Sequence, residues 1–375
     1  MSISDRLKLP LFLFFYTLMY SKVLLHIISL LLFSSCSKLD VKIDVYSVGD
    51  EHGNDTIKWE MFPLLDGTVK VYSFQNPDYP EIAELEEEVG ISAGTAVVPM
   101  SGTRDVRKYY RLLFNDTYFA IVANRVIKVD SIMNLRDLGG YKTNYKKAVK
   151  WGKLFRSGRL NITEEYMERF NSLRIRTVID FRTDRERLER PDKKINADYI
   201  HIPTPPCCFT SVFPELKKGE FKRGDAFIFM QDQYREMAGN CHRQFAEMFD
   251  VLTDSLKYPV LILCTGGKDR VGFASTLILS ALGISEDQIM DDYSLTYSIP
   301  NVRSEGHFAY ELSSEGQEAV TVLLSTNEQF LRTAFNDIKK EYGSIDNYLE
   351  KALGLDGNKR KRLQQLLLYY TPNVG

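Results

Sequence analysis

The sequence is poor in metal ligands. Its five histidines show no metal-ligand spacing, so neither a structural nor a catalytic metal is expected, and no cofactor. It also lacks an excess of one charge. With 48 Lys+Arg against 50 Asp+Glu, the formal net charge is -2, which argues against general nucleic-acid binding. Local basic surface stays open. No uninterrupted apolar run reaches the roughly 20 residues that cross a bilayer. The two blocks at the amino terminus, Leu9 to Met19 and Val23 to Phe33, are broken by Tyr20-Ser21-Lys22. Cysteine is scarce as well, with five in 375 residues, an odd number that cannot all pair within one chain.

What is present begins at that amino terminus. The second apolar block has Lys22 before it and Phe33-Ser34-Ser35-Cys36 after it, the pattern of a signal peptide with small residues before the cleavage point. Met19 as the start would give a conventional basic n-region. A cysteine directly after the small pair resembles the bacterial lipoprotein signal, which implies that Cys36 is lipidated and becomes the mature terminus. A membrane anchor over residues 9–35, interrupted by one lysine, is the alternative. Either one puts residues 37–375 outside the cytoplasm, tethered to a membrane. The expected location is the cell envelope, on the outer membrane. The remaining cysteines are Cys207, Cys208, Cys241 and Cys264; with Cys264 assigned to chemistry below, the other three are expected as buried or free thiols, a bridge from Cys241 to Cys207 or Cys208 being the alternative.

Asp40 to Asp55 is polar and reads as a linker. Beyond it, Ile57 to Phe62 and Thr68 to Phe74 alternate around a turn at Asp66-Gly67. Arg107 to Phe114 and Tyr118 to Asn124 flank the turn residues Asn115-Asp116-Thr117. Pro80 to Val89 is acidic and reads as a surface helix or loop. These short strands predict a small all-β sandwich over residues 41–128. It holds no catalytic constellation, and Trp59, Tyr72 and Phe74 are expected in its core rather than at a ligand.

From residue 131 onward the pattern predicts an α/β domain with a mostly parallel central sheet flanked by helices. Its centre is Tyr258-Pro-Val-Leu-Ile-Leu-Cys264-Thr-Gly-Gly-Lys-Asp-Arg270-Val-Gly-Phe. A buried strand ends at a cysteine, a five-residue loop with two glycines follows, and an arginine opens a helix over Val271 to Leu282. Backbone N–H groups turned into such a loop, with the helix dipole behind them, bind a phosphate dianion. They also favour thiolate over thiol for a cysteine placed beneath, and Arg270 can hold two phosphate oxygens with its planar fork. The alternative is a buried cysteine beside a surface Lys-Asp-Arg cluster.

The stretch resembles the cysteine-dependent phosphatases, in particular the bacterial tyrosine-specific and dual-specificity branch whose loop reads His-Cys-x-x-Gly-Lys-Asp-Arg-Thr-Gly. Cys264, Gly267, Lys268, Asp269, Arg270 and Gly272 match; Leu263 stands for His and Val271 for Thr. The same branch carries Asn-x-Arg-Asp-x-Gly-Gly, Arg-Ser and Asp-x-Arg followed by Glu and Pro-Asp, which match Asn134 to Gly140, Arg156-Ser157, and Asp180 to Arg182 with Glu186 and Pro191-Asp192. Met290 to Thr296 and Glu341 to Leu355 match its closing helices. The resemblance spans roughly residues 131–370. It implies that Cys264 is the nucleophile, Asp269 the general acid and Arg270 the phosphate clamp. Thr265, Gly266, Gly267, Lys268, Val271 and Gly272 are then expected to bind phosphate. Asp180 is expected to orient Arg270, Arg182 to shape the site, and Arg136, Arg156 and Arg159 to be open to further phosphates. The region Pro203 to Gln244 is implied to be a lid.

Two departures bear on rate. Loss of the family His at Leu263 and of a hydroxyl at Val271 predicts weaker thiolate stabilisation and a slower enzyme. The substrate expected is phosphotyrosine in a phosphorylated protein, with broad specificity. A phosphoinositide or inositol phosphate is the alternative, prompted by the extra charge of Lys268. A reading of another class, a catalytically weak phosphate-binding surface module, is favoured by the missing His and opposed by the joint presence of Cys264, Asp269 and Arg270.

Overall fold

A computed structural model describes residues 41–50, 53–99, 106–129, 131–205, 209–298 and 309–371. The expectations for residues 1–36 with Cys36, and for Cys207 and Cys208, lie outside the described residues. No helix among the described residues is long and apolar enough to cross a membrane.

Among the described residues, the amino-terminal half contains seven strands: β1 (Lys42–Gly49), β2 (Asp55–Phe62), β3 (Thr68–Phe74), β4 (Glu84–Gly90), β5 (Thr95–Val98), β6 (Tyr109–Phe114) and β7 (Tyr118–Val122). They form two antiparallel sheets, in the orders β1-β2-β5 and β4-β3-β6-β7. Ile43, Ile57 and Trp59 of the first and Val69, Val71, Leu112 and Phe114 of the second are buried. The Trp59 and Phe114 rings meet edge to face at 6.1 Å. Trp59 and Phe74 are core residues, as expected, and the Trp59 indole donates to the Ile91 carbonyl at 2.8 Å. Asn115 and Asp116 both take positive φ in the β6–β7 turn, which their short polar side chains tolerate.

Two sequence expectations fail here. The supposed linker contains β1, paired with β2 along its whole length from Lys42↔Phe62 to Gly49↔Asp55. Its outward Lys42, Asp44 and Tyr46 hid the alternation that buries Ile43. The acidic stretch read as helix or loop contains β4, which pairs with β3 alone. Glutamates along such an edge discourage further strand addition.

The second half continues with β8 (Arg136–Asp137), β9 (Lys147–Val149), β10 (Leu154–Ser157), β11 (Thr177–Asp180), β12 (Asp198–His201), β13 (Val260–Leu263) and β14 (Leu368–Tyr370). Five of them make a sheet in the order β12-β11-β13-β10-β8. All its pairings are parallel except β8 with β10. β13 lies at the centre because Val-Leu-Ile-Leu is buried on both faces, as a parallel core strand requires. One face packs Ile262, Cys264 and Ile179 against the helices Asp269–Leu282, Arg223–Asn240 and His242–Leu252. The other packs Leu261, Leu263, Val178 and Phe155 against Ile132, Leu135 and Phe170.

The described residues from Lys42 onward fall in one compact unit. Buried Arg107 donates to Asp137 at 3.0 Å, the Trp151 indole donates to the Ile121 carbonyl at 3.1 Å, and the Arg125 guanidinium lies 3.8 Å from the Tyr141 ring centroid.

Candidate active site

The register of the parallel strands fixes the site. Ser157, Leu263 and Asp180 stand in one row, so β10, β13 and β11 end together. Cys264 leaves the sheet there, 2% exposed, followed by the loop Thr265 to Lys268 and the helix Asp269–Leu282. Gly267 has φ +67, and a Cβ on it would lie 2.5 Å from the Gly158 nitrogen and 2.5 Å from the Ser157 carbonyl carbon. Only glycine allows the loop to lean on β10 so closely. Gly266, by contrast, has nothing within 4 Å of where its Cβ would be. The amides of Thr265, Gly266, Gly267, Lys268 and Asp269 make no hydrogen bond to any described group. Five consecutive unengaged N–H groups ahead of a helix are an anion nest. The Gly272 amide is not among them, because it makes the first helical bond to the Lys268 carbonyl at 2.7 Å. Val271 buries its side chain in the apolar core rather than in the loop.

Beneath the loop is a buried ionic layer. The Gly267 carbonyl accepts from Asn134 Nδ2 at 2.5 Å and from Arg156 Nη2 at 2.9 Å, which turns that peptide's carbonyl away from the nest. Asp292 accepts from Arg156 Nη1 at 2.7 Å, Arg136 Nε at 3.1 Å and the Tyr141 hydroxyl at 3.0 Å. Arg136 also donates to Asn134, to the Thr296 hydroxyl and to the Asp292 carbonyl. Burial raises the carboxyl pKa of Asp292, but the two guanidiniums outweigh it and hold it well below the usual range. Burial and repulsion from Arg136 push Arg156 down to about 10. Arg136 and Arg156 are fully buried and committed here, so neither is open to a further phosphate; both are supports of the loop. Removing one member of such a buried group costs about 3–5 kcal/mol.

Arg270 is gripped from the helix Asp184–Glu189. Glu186 takes its fork bidentately, Nη1 at 2.8 Å and Nη2 at 2.6 Å, and Nη1 also reaches the Phe181 and Thr204 carbonyls, each at 3.2 Å. Thr265 donates its hydroxyl to the same carboxylate at 2.5 Å. Burial alone would raise the pKa of Glu186, yet the hydrogen bonds and charge of Arg270 bring it down to about 2. Glu186 is also the N3 residue of a capping box with Thr183, so helix start and arginine orientation share one side chain. The role expected of Asp180 therefore belongs to Glu186. Asp180 instead accepts from Arg182 Nε at 3.0 Å and Nη2 at 2.7 Å, with Arg187 at 3.5 Å. Arg182 joins Asp180 to Asp192 and shapes the site only by fixing the chain around that helix.

Asp269 accepts on Oδ1 from Lys268 Nζ at 2.8 Å and from the Tyr234 hydroxyl at 3.1 Å; Tyr234 is 2.7 Å from the Tyr293 hydroxyl. Lys268 is 8% exposed and donates as well to the Leu323 and Ser325 carbonyls, each at 3.1 Å. It caps the carboxyl end of the helix Ser314–Leu324 and is not directed to a phosphate. Leu263 lies in the apolar cluster on the sheet face opposite Cys264, so its side chain takes no part in the nest. Cys241 is a free buried thiol, pushed up to about 11 by burial. No cluster fit to hold a metal occurs among the described residues.

Sequence reasoning missed Glu186 as the partner of Arg270, and also Asp292, Asn134 and Tyr234. A signal existed for the first: Thr-x-x-Glu after a strand is a capping box. Asn134 stands at φ +59, and no local signal showed that its amide would reach a loop 133 residues away.

Comparison with known proteins agrees with this geometry. The model of the tyrosine phosphatase family matches residues 127–369. A Cupriavidus necator protein named as a tyrosine-protein phosphatase is 30% identical over 237 residues, 60% of this chain and 84% of its own. The triple specificity protein phosphatase PtpB of Mycobacterium tuberculosis is 27% identical over 270 residues, 63% of this chain and 96% of its own. The crystal structure of TpbA from P. aeruginosa covers 52% of this chain and 95% of its own at 13% identity; its TM-score of 0.23 is too low to bear on the fold. With more than half its length matched by the family model, the chain belongs to the tyrosine phosphatase family.

Proposed function

We propose that the protein hydrolyses phosphomonoesters, phosphotyrosine foremost, through a cysteinyl-phosphate. The observation that carries this is the nest: five unengaged amides between Cys264 and an Arg270 whose fork is fixed by Glu186. In the first step the Cys264 thiolate attacks phosphorus, the bond from phosphorus to the phenolic oxygen breaks, and that oxygen takes the proton of Asp269. In the second, water attacks phosphorus, the S–P bond breaks, and Asp269 takes back a proton as phosphate leaves. Amides and Arg270 stabilise the charge on the equatorial oxygens throughout. Lys268 and Tyr234 both bind Oδ1 of Asp269, which leaves Oδ2 for the proton. Internal use of Lys268 weighs against a polyphosphorylated lipid and for a single phosphate.

The test is phosphate release from a phosphotyrosine peptide by the protein and by Cys264→Ser. Release that survives in the variant would remove Cys264 from the chemistry. A binding module is the second reading; bound vanadate with no turnover of any phosphomonoester would favour it.

Two further elements belong to this proposal. Residues 41–128 are a β-sandwich, a reading supported by two antiparallel sheets meeting at Trp59 and Phe114. Residues 1–36 are a lipoprotein signal that anchors the protein in the cell envelope through Cys36, a reading supported by Phe33-Ser34-Ser35-Cys36. Fatty-acid labelling that persists in Cys36→Ala would exclude the anchor.

A further inference from the structure

The site holds six cations that the sequence placed around the loop, and five are engaged within the protein. Arg270 is paired with Glu186, Lys268 with Asp269, Arg182 with Asp180 and Asp192, and Arg136 and Arg156 with Asp292. Arg159 differs. Its amide donates to the Thr265 carbonyl at 3.1 Å, which pins its backbone to the rim of the loop. The preceding Gly158 packs just as tightly, since a Cβ there would lie 3.0 Å from the Thr265 carbonyl oxygen and 3.2 Å from the Gly266 carbonyl carbon. The Arg159 guanidinium makes no hydrogen bond or ion pair with any described residue, and its Nε is buried without an acceptor. Asp192 feels its charge, but that carboxylate is engaged by the Leu160 amide at 2.8 Å and by Arg182.

A half-buried guanidinium with an unsatisfied N–H is unfavourable. A lysine or methionine would fill the same space without that penalty. The terminal nitrogens of the guanidinium, unlike Nε, are not buried, and they can take an anionic group arriving with the substrate in the bidentate geometry that arginine matches. One spare fork fits one extra carboxylate. A substrate with several phosphates would need further cations, and Lys268, the candidate for that role, is tied to Asp269 and two carbonyls.

We propose that Arg159 recognises a carboxylate flanking the phosphotyrosine, so that the protein selects acidic phosphopeptides. This rests on the phosphatase reading above. The experiment compares kcat/KM for two phosphotyrosine peptides that differ only in Glu or Gln beside the phosphotyrosine, using the full chain, Arg159→Gln and Arg159→Lys. The full chain is expected to favour the acidic peptide by about 5- to 10-fold, the scale of one partly exposed charge-assisted contact. That ratio is expected to fall to about one in Arg159→Gln and to be partly kept in Arg159→Lys, mainly through KM. A ratio of one in the full chain, or a ratio that survives in Arg159→Gln, overturns the assignment. So do equal losses on both peptides, which would make Arg159 a scaffold residue. An inositol polyphosphate more sensitive to Arg159→Gln than either peptide also overturns it, in favour of a second phosphate. The same ratio, measured as Kd on Cys264→Ser, reads recognition without hydrolysis, so failure of this assignment and failure of the phosphatase reading remain distinct.

Discussion

Replacing Glu186 by Gln keeps the shape of the side chain and removes the charge that fixes Arg270. The carboxyl pKa falls from 4.5 to about 2 in the folded protein, a depression of more than two units. At about 1.4 kcal/mol per unit this corresponds to roughly 3 kcal/mol of stability at neutral pH. The side chain is 21% exposed, so screening trims this only slightly, and about 2–3 kcal/mol is expected. Because the folded-state pKa is depressed, the contribution is fully present above about pH 4.5 and disappears as pH falls through about 2. Urea denaturation should therefore show Glu186→Gln less stable by that amount at pH 7 and progressively closer to the parent below pH 4. Turnover should drop about 100-fold as well, since a guanidinium displaced by about 1 Å loses its place opposite the equatorial oxygens. A variant matching the parent in midpoint and kcat at pH 7 would refute the reasoning, as would a deficit unchanged between pH 7 and pH 3.

Gly267→Ala forces a Cβ against the Ser157–Gly158 backbone at a residue with φ +67. It should cost about 2–3 kcal/mol and nearly all turnover, whereas Gly266→Ala, with open space at its Cβ, should lower the thermal midpoint little; equal effects in the two would show that the contact with β10 does not set the loop. Leu263→His, the change that would restore the family residue, places an imidazole among Leu261, Val178 and Phe155. It should destabilise by about 1–3 kcal/mol without raising the single-turnover rate, and a faster variant would show that position 263 does act on the nest.

The loop was legible in the sequence because its parts are contiguous: strand, cysteine, glycines and arginine within sixteen residues. Its supports were not. Asp180 looked like the partner of Arg270 because it ends the neighbouring strand, but at a strand end the direction of a side chain is decided by competing local donors. Arg182, two residues on, is closer and captures it. Lys268 looked like a phosphate ligand from its place in the loop, and only the tertiary arrangement brings the end of the helix Ser314–Leu324 within its reach. β1 and β4 were hidden for another reason. β1 presents Lys42, Asp44 and Tyr46 outward around a buried Ile43, whereas β4 buries no side chain fully and even Leu85 is exposed, so composition outweighed any alternation.

Arg136 and Asp137 are adjacent, opposite in charge and both buried, yet each pairs elsewhere. On a strand, successive side chains leave opposite faces, and β8 keeps them apart. Arg136 enters the layer under the loop and meets Asp292 and Asn134. Asp137 turns toward the amino-terminal half, where it accepts from Arg107 and from the amides of Gly139 and Gly152 at 2.8 Å each. Burial raises the pKa of Asp137 even against the charge of Arg107 and the hydrogen bonds from the two glycine amides. One two-residue strand thus sends one charge under the loop and the other to Arg107. Satisfying both charges on separate faces is one reason that the all-β half and the catalytic half pack as one compact unit rather than as beads on a linker.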